Sequence, residues 1–582
     1  MSNRWKCLGA SMRHASGNTA GLARLVELVA RSFAPLLLLG SHAEAFEIET
    51  GHPDLKLHWD TTVKYTTAFR LKSQSPALID DRPATINQDD GDRNFARGLI
   101  SNRVDVLTEA DLLYRNFGAR MSAAGWYDTV YNRSNDNHSP ATANQISVPF
   151  NEFTNATRRV NGRQIELLDA FVFGSGDVGD AKASFRAGRH TIIWGESLFF
   201  GGNGIAGSQA PVDVIKLISV PNSQFKETIR PTGQVSGQIQ ISPRTSLAAY
   251  YQYEWEKSRL PGVGSYFSSG DILDSGGERL LVGGPLVPGG GAAAFFRGVD
   301  RSAKDSGQGG LALRLHSANA DYGIYALQWH AKTPQVYVRP GSFTPPGGPP
   351  VIVDPGIFNP ATGQIGEYYL VYPENIRTYG VSATTAVGDA NIAGELSVRR
   401  NTPLVSNGLT VTPGSAADND RNPLYAVGNS VHAQASMIWT MGSNFLAKSA
   451  TFLGEVAWNR LTHIARNAPT LDPGATTDAV ALRVVYEPSY RQVLPGVDIT
   501  VPVGASYSPR GRSSVVAAFA VDKGGDLNVG LTAAYLEVWR ATLTITHFYG
   551  HVAPGTDAQN HFTFAQSLGD RDYISFTLRT TF

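Results

Sequence analysis

The residues of this chain that could do chemistry fall into two short polar clusters and one long mixed loop. Asp89-Asp90-Gly91-Asp92 sets three carboxylates within four residues, a density that a hard cation such as calcium accepts. The cluster lacks the spaced ligands of a calcium loop, so it reads as a solvated turn, and no metal is assigned to it. Asp136, His138 and Ser139 have the residue types of a hydrolytic triad, but such triples also arise by chance in a polar loop. The segment from Arg186 to Pro231 differs in character. Arg186-Ala187-Gly188-Arg189-His190 leads through Thr191 to Trp194-Gly195-Glu196-Ser197, a Gly-rich bend, Pro211–Lys216 and Lys226-Glu227-Thr228-Ile229-Arg230-Pro231. A loop that mixes apolar and charged side chains over this length can fold into a barrel lumen and narrow it, where opposed charges select solutes by size and sign. Arg189, Trp194, Glu196, Asp213, Lys216, Lys226 and Glu227 are the candidate constriction residues. The alternative is a packed outer loop with ordinary surface charges.

Catalytic signatures are otherwise absent. The sequence holds no H-E-x-x-H, no G-x-S-x-G and no phosphate-cradling G-x-x-x-x-G-K-[ST]. Gly201-Gly202-Asn203-Gly204 does not open a helix within a βαβ unit, which argues against a nucleotide site. The single cysteine, Cys7, precedes the expected mature chain, so no disulfide framework, thiolate metal site or cysteine nucleophile is expected.

The elements that must position these residues show in a period of two. From Leu55 to Lys72 the odd positions read Leu, Leu, Trp, Thr, Val, Tyr, Thr, Phe, Leu, and the even positions read Lys, His, Asp, Thr, Lys, Thr, Ala, Arg, Lys. A strand sends successive side chains to opposite faces, so one face is apolar and the other charged. Val104, Val106, Ala110, Leu112 and Tyr114 repeat the pattern against Arg103, Asp105, Glu109, Asp111 and Arg115. Leu247 to Trp255, Leu311 to His316 and Ala450 to Trp458 do so again. Alternation alone fits both a soluble sandwich and a membrane barrel whose apolar face meets lipid.

Three features separate the two. Tight turns at Arg115–Gly118, Ser242–Thr245, Ser317–Asp321 and Val387–Ala390 alternate with long Gly-, Pro-, Asn- or Ser-rich connections near 132–164, 191–232, 258–308, 333–373 and 402–426. Outer-membrane barrels have this asymmetry, and soluble domains seldom hold five such structureless loops. Trp59, Trp126, Tyr127, Trp255, Trp329, Trp439, Trp458 and Trp539 lie near strand ends, where an interfacial girdle would put them. The chain ends in a strand with Ile574, Phe576, Leu578 and Thr580 on the face of the terminal Phe582, which resembles the signal read by barrel-assembly machinery. We therefore expect an all-β fold, a transmembrane antiparallel outer-membrane β-barrel. Its expected strands are near 55–72, 102–115, 119–131, 165–174, 182–190, 233–242, 245–257, 309–317, 321–332, 374–386, 391–401, 427–440, 449–460, 478–488, 497–507, 527–536, 540–549 and 571–582. That makes about eighteen, with sixteen as the alternative, and Ser513–Val521 is assigned to an outer loop to keep the count even.

The first 45 residues read as a signal peptide. Arg4, Lys6, Arg13, Arg24 and Arg31 form a basic region, Leu36–Leu39 lie in a short apolar one, and Ala43-Glu44-Ala45 places small residues where a signal peptidase cuts. The mature domain is then 46–582, a single barrel. The whole chain has 50 basic and 50 acidic residues, and removing the signal leaves a slight acidic excess, with no reason to expect nucleic acid.

Trp59-Asp60-Thr61-Thr62, Asp90-Gly91-Asp92-Arg93-Asn94-Phe95, Gly188-Arg189-His190 leading to Trp194-Gly195-Glu196-Ser197, Lys226-Glu227, Leu494-Pro495-Gly496-Val497-Asp498 and Asp570-Arg571-Asp572-Tyr573 to Phe582 resemble domain-of-unknown-function family 1302. The resemblance spans nearly the whole mature chain, and Trp-Gly-Glu-Ser is its most specific block. It implies an exported outer-membrane protein of Gram-negative bacteria and brings no catalytic residue. Members often lie near genes for resistance-nodulation-division exporters and for catabolism of hydrophobic compounds, which hints at lipid, sterol or aromatic cargo. The expected function is an outer-membrane conduit for a small hydrophobic or amphipathic molecule, without enzyme activity or cofactor. Expected partners are outer-membrane lipid and lipopolysaccharide, the barrel-assembly machinery and a periplasmic carrier or inner-membrane exporter. The rivals are an adhesive or structural barrel that binds through loops 258–308 and 333–373, and a barrel hydrolase with a rim site at Asp136, His138 and Ser139.

Overall fold

Antiparallel pairing runs unbroken around a ring. The computed structural model describes residues 46–48, 51–80, 83–220, 225–343 and 351–582. Within the unit Glu47–Thr581, eighteen strands pair in chain order and close a barrel. They are β1 (Leu55–Arg70), β2 (Gly98–Tyr114), β3 (Phe117–Asp128), β4 (Arg163–Val178), β5 (Ala181–His190), β6 (Thr232–Ser242), β7 (Thr245–Gln252), β8 (Gln308–His316) and β9 (Asp321–Trp329). Then follow β10 (Ile376–Val387), β11 (Ala390–Pro403), β12 (Val427–Met441), β13 (Ser449–Arg466), β14 (Asp478–Leu494), β15 (Val497–Thr500 and Val503–Arg510), β16 (Gly525–Tyr535), β17 (Trp539–Tyr549) and β18 (Tyr573–Thr581). Closure comes from β18 pairing with β1, in register from Thr62↔Thr581 to Arg70↔Tyr573. β15 is interrupted at Pro502, which has no N–H to give the ladder. All eighteen strands expected from the sequence are present, and Ser513–Val521 lies in a loop. The segments expected to be a signal peptide, residues 1–45, lie outside the described residues.

Alternation sorts the side chains by face. Outside, Val104, Val106, Ile165, Val172, Val235, Leu311, Ile324, Val381, Leu396, Val456, Val529 and Ile545 are exposed. Leaving such a belt in water would cost about 25 cal/mol per Å² of apolar surface, whereas lipid solvates it. Inside, polar partners meet across strands, as where Lys64 opposes Asp105 in the β1–β2 ladder with Nζ 3.6 Å from Oδ2. The aromatic girdle is only partly as expected. Trp59, Tyr127 and Trp439 are exposed, but Trp126 and Trp329 are buried on the inner face and Trp255 packs on Tyr372 in a loop. Each of the inward pair sits on the polar register of its strand, under arginines: Arg103 and Arg259 lie 4.9 and 5.1 Å from the Trp126 ring, and Arg399 lies 5.7 Å from that of Trp329.

Turns at one end are short. Gly179 and Gly388 take φ of +63° and +58° in two-residue hairpins, a conformation that favours glycine. At the other end the long connections fold. Arg279–Pro285, Ala292–Arg297, Gln335–Pro340 and Gln364–Val371 make a four-stranded sheet, so the loops near 258–308 and 333–373 are not structureless. Tyr337, Tyr369 and Val371 of this sheet bury against Leu409, Val411 and Tyr425 of the connection between β11 and β12 in one cluster.

The other correction concerns Asp89–Asp92. Rather than a solvated turn, Asp90–Arg93 is one helical turn whose four residues are all buried. Arg70 of β1 reaches Asp92 and Asp570 at 2.6 and 3.1 Å, and Arg571 donates to the carbonyls of Tyr266 and Ser268 at 2.6 and 2.5 Å. The Asp90–Phe95 and Asp570–Tyr573 motifs thus meet over the β18–β1 seam. Arg70 thereby offsets the cost of burying the charges of Asp92 and Asp570.

Candidate functional site

The described residues between β5 and β6, 191–220 and 225–231, enter the barrel and are fastened to its inner wall. Trp194 packs edge-on to Tyr250 at 5.0 Å between ring centroids and lies 6.1 Å from Tyr325, within a buried cluster with Ile205, Ala248, Ala312 and Leu327. The inner face of β7–β9 is apolar here because the loop covers it. Farther along the wall two carboxylates hold the loop backbone. Glu395 of β11 accepts from the N–H groups of Glu196 and Ile205 at 2.8 and 2.6 Å. Glu455 of β13 accepts from Ser197 Oγ and Leu198 N on Oε1, at 3.0 and 3.2 Å, and from Phe199 N and Phe200 N on Oε2, at 2.5 and 2.9 Å. Charge-assisted bonds of this kind are roughly twice as strong as neutral ones.

The Gly-rich bend has a steric reason. Arg399 Nη2 donates to three successive carbonyls, of Gly202, Asn203 and Gly204, at 2.9, 3.0 and 2.8 Å. A Cβ on Gly195 or Gly204 would come within 2.4 or 2.5 Å of a Glu395 carboxylate oxygen, and one on Gly201 would meet the Phe225 ring. Asn203 joins the bend to the wall through Asn459 Nδ2, which donates to its Oδ1 at 3.1 Å. Phe199 lies under Arg483 of β14 at 5.6 Å, and Tyr573 of β18 donates to Ser219 O at 3.4 Å. Contacts from β7 round to β18 mean that the loop crosses the lumen instead of lying above one wall.

A chain of ion pairs secures its two ends. Arg189 pairs with Glu254 and with Glu256 (3.0 Å), Arg230 with Glu256 and Glu166 (both 3.4 Å), and Arg259 with Glu166 and with Asp213 (2.9 Å). Arg259 stays charged despite its burial, since the neighbouring carboxylates raise its pKa against desolvation. On the same wall, Arg120 of β3 meets Glu109 and Asp111 (2.8 Å) of β2 and Asp169 (3.9 Å) of β4.

The candidates taken from the sequence therefore separate into groups. Arg189 and Asp213 belong to the ion-pair chain, and Asp213 also caps the helix Val214–Ser219 by accepting from Lys216 N at 3.0 Å. Trp194 is an anchor in the wall. Glu196 is half-buried beside Ser382, and burial raises its carboxyl while Arg314 opposes the shift. Lys216 and Lys226 are exposed, and the side chain of Glu227 lies outside the described residues. Glu395, Arg399 and Glu455 were missed. They stand on the polar register of their strands, but that register has many charged residues and nothing local shows which of them meets the loop. Asp136, His138 and Ser139 do not assemble as a triad. The Asp136 carboxylate accepts from Ala96 N at 2.9 Å, His138 Nδ1 faces the Asp136 carbonyl at 3.3 Å, and Ser139 Oγ accepts from Thr142 Oγ1 at 3.0 Å.

A family model described as "Protein of unknown function (DUF1302)" matches residues 28–582. No curated protein matches the sequence. Among solved structures the chain is similar to OccAB2 of Acinetobacter baumannii, with 8% identity over 90% of this chain and 98% of that one and a TM-score of 0.40. It is similar to OccK8 (OprE) of Pseudomonas aeruginosa, with 8% identity over 92% and 99% and a TM-score of 0.39. It is also similar to Salmonella typhi OmpF, solved as a complex with daunomycin, with 9% identity over 92% and 100% and a TM-score of 0.35.

Proposed function

The chain belongs to the family described as Protein of unknown function (DUF1302), and we propose that it is an outer-membrane channel whose loop 191–231 narrows the passage for a small amphipathic or hydrophobic molecule. The observation that carries this reading is the hold of Glu455 on four consecutive residues, Ser197 to Phe200, from a wall strand more than two hundred positions away in sequence. A carboxylate committed in this way keeps the loop inside the lumen, where an aqueous channel of about eighteen strands would otherwise be wide. The loop offers exposed Leu217 and Val220 near the charged pairs, a mixed surface that suits solutes with an apolar body and a polar end. In this reading the outer belt meets membrane lipid and lipopolysaccharide.

Planar-bilayer recording tests the proposal. Deleting 196–226 should raise single-channel conductance severalfold, and an unchanged conductance would remove the loop from the passage. Liposome swelling with solutes graded from sugars to amphipathic acids should then rank uptake by amphipathic character. A folded barrel that admits none of them would favour the adhesive reading, whose support is the four-stranded outer sheet.

A further inference from the structure

The buried acidic segment beneath the outer loops has more carboxylate than its arginines neutralise. Asp89 is paired with Arg93 and Asp92 with Arg70, each at 2.6 Å. Asp90 and Asp271, 1% and 0% exposed, make no ion pair among the described residues. One carboxylate oxygen from each of Asp89, Asp90 and Asp271 lies within 4.8 Å of the other two.

The hydrogen bonds leave specific atoms over. Asp90 N donates to Asp271 Oδ2 and Asn144 N donates to Asp90 Oδ2, both at 3.2 Å, while Oδ1 of each aspartate is buried without a donor. Asn144 is in the same condition. It is 0% exposed, its Nδ2 donates to Asn87 Oδ1 at 2.7 Å and to Arg279 O at 2.8 Å, and its Oδ1 has no partner. Three hard oxygens from three different outer loops, joined to one another through Asp90, are thus desolvated without a compensating proton donor, a condition that normally costs free energy.

We propose that Asp90, Asp271 and Asn144, with Asp89 beside them, bind a divalent oxygen-seeking cation, calcium by its tolerance of irregular oxygen cages, and that the ion ties these three loops over the β18–β1 seam. The cation supplies the charge that the arginines do not. Burial agrees with this, since it raises the Asp90 carboxyl to about 6 and, together with the charges of Asp90 and Asp89, raises that of Asp271 well above its ordinary range. Without a cation, burial favours protonation of these carboxyls instead.

The test uses the full chain, refolded in detergent free of lipopolysaccharide, with calcium as the probe in equilibrium dialysis and thermal unfolding, with and without chelator. Wild type should bind one calcium saturably at or below roughly millimolar levels, the range of extracellular sites, and chelation should lower its unfolding midpoint. D271N and D90N, each shown to be closed by heat-modifiable migration, should bind at least about tenfold more weakly and lose the chelator response. Absence of saturable binding to wild type would overturn the proposal and leave protonation to relieve the buried charge. Equal binding by either folded variant would overturn it too, by placing the ion elsewhere. Should both variants fail to close, N144L, which keeps both carboxylates, decides by the same criterion.

Discussion

At the residue scale, the carboxylate of Glu455 cannot be replaced by an amide. It accepts two donors on each oxygen, so the amino group of a glutamine must face one of those pairs. E455Q should therefore keep the barrel but free part of the loop, with higher and noisier conductance and a loss of about 2–3 kcal/mol in urea titrations, the scale of charged hydrogen bonds. Asp90 makes a prediction about pH. Its folded value of about 6 stands above the ordinary 3.8, so between these values the folded chain holds more of this proton than the unfolded one. Its contribution therefore favours folding at low pH and is lost as pH rises through about 6. In calcium-free buffer the unfolding midpoint should fall as pH rises from about 4 to about 6, by less in D90N, with Asp89, Asp271, Arg93 and Arg279 as the charges that surround the group. A midpoint that moves equally in both proteins would assign the dependence to other groups.

At the scale of elements, the loop 191–231 is an irregular segment made rigid from outside. Among its described residues the secondary structure is two short 3-10 turns and the six-residue helix Val214–Ser219, too little to hold a path across a lumen. Trp194 and the glycines do that instead, by burial and by close approach to Glu395. W194A should leave the strand pairing intact while exposing the loop to trypsin at Lys216, Lys226 or Arg230, detected as one cut in a barrel that still migrates as folded. G204A should act likewise, since its Cβ would lie 2.5 Å from Glu395 Oε1, and a shift of either the loop or that carboxylate breaks the bonds it makes to Glu196 N and Ile205 N. Resistance of both variants equal to wild type would mean that the ion pairs at Arg189, Arg230 and Arg259 suffice to hold it.

For the whole molecule, the outside is a solvent problem and the inside an electrostatic one. Val381, 48% exposed at the middle of β10, faces outward, while the next residue, Ser382, is 6% exposed and meets the hydroxyl of Tyr325. V381R should cost about 2–4 kcal/mol in folding into vesicles, as a cation at the bilayer midplane does. The same substitution made in a detergent-solubilised barrel should cost much less, and an equal cost in both media would place that face against protein. The closed ring also predicts heat-modifiable migration of the full chain, because the barrel itself has no open edge strand from which unfolding could start.

What the sequence by itself determined is the period of two and therefore the strands, their faces and the tight turns. Each of these is a local property: a residue's face follows from its neighbours one position away, and a turn from two or three residues. The tertiary structure decided which carboxylates matter. Glu455 lies 256 positions from Phe199 and Asp271 lies 181 from Asp90, so their partnerships depend on ring closure and on how the loops descend. The same holds for the girdle, where Trp126 and Trp329 fell on the inner register, and for Asp89–Asp92, polar in composition and buried in fact. Polarity states what a side chain can bind, and only the fold brings a partner within reach and takes the water away.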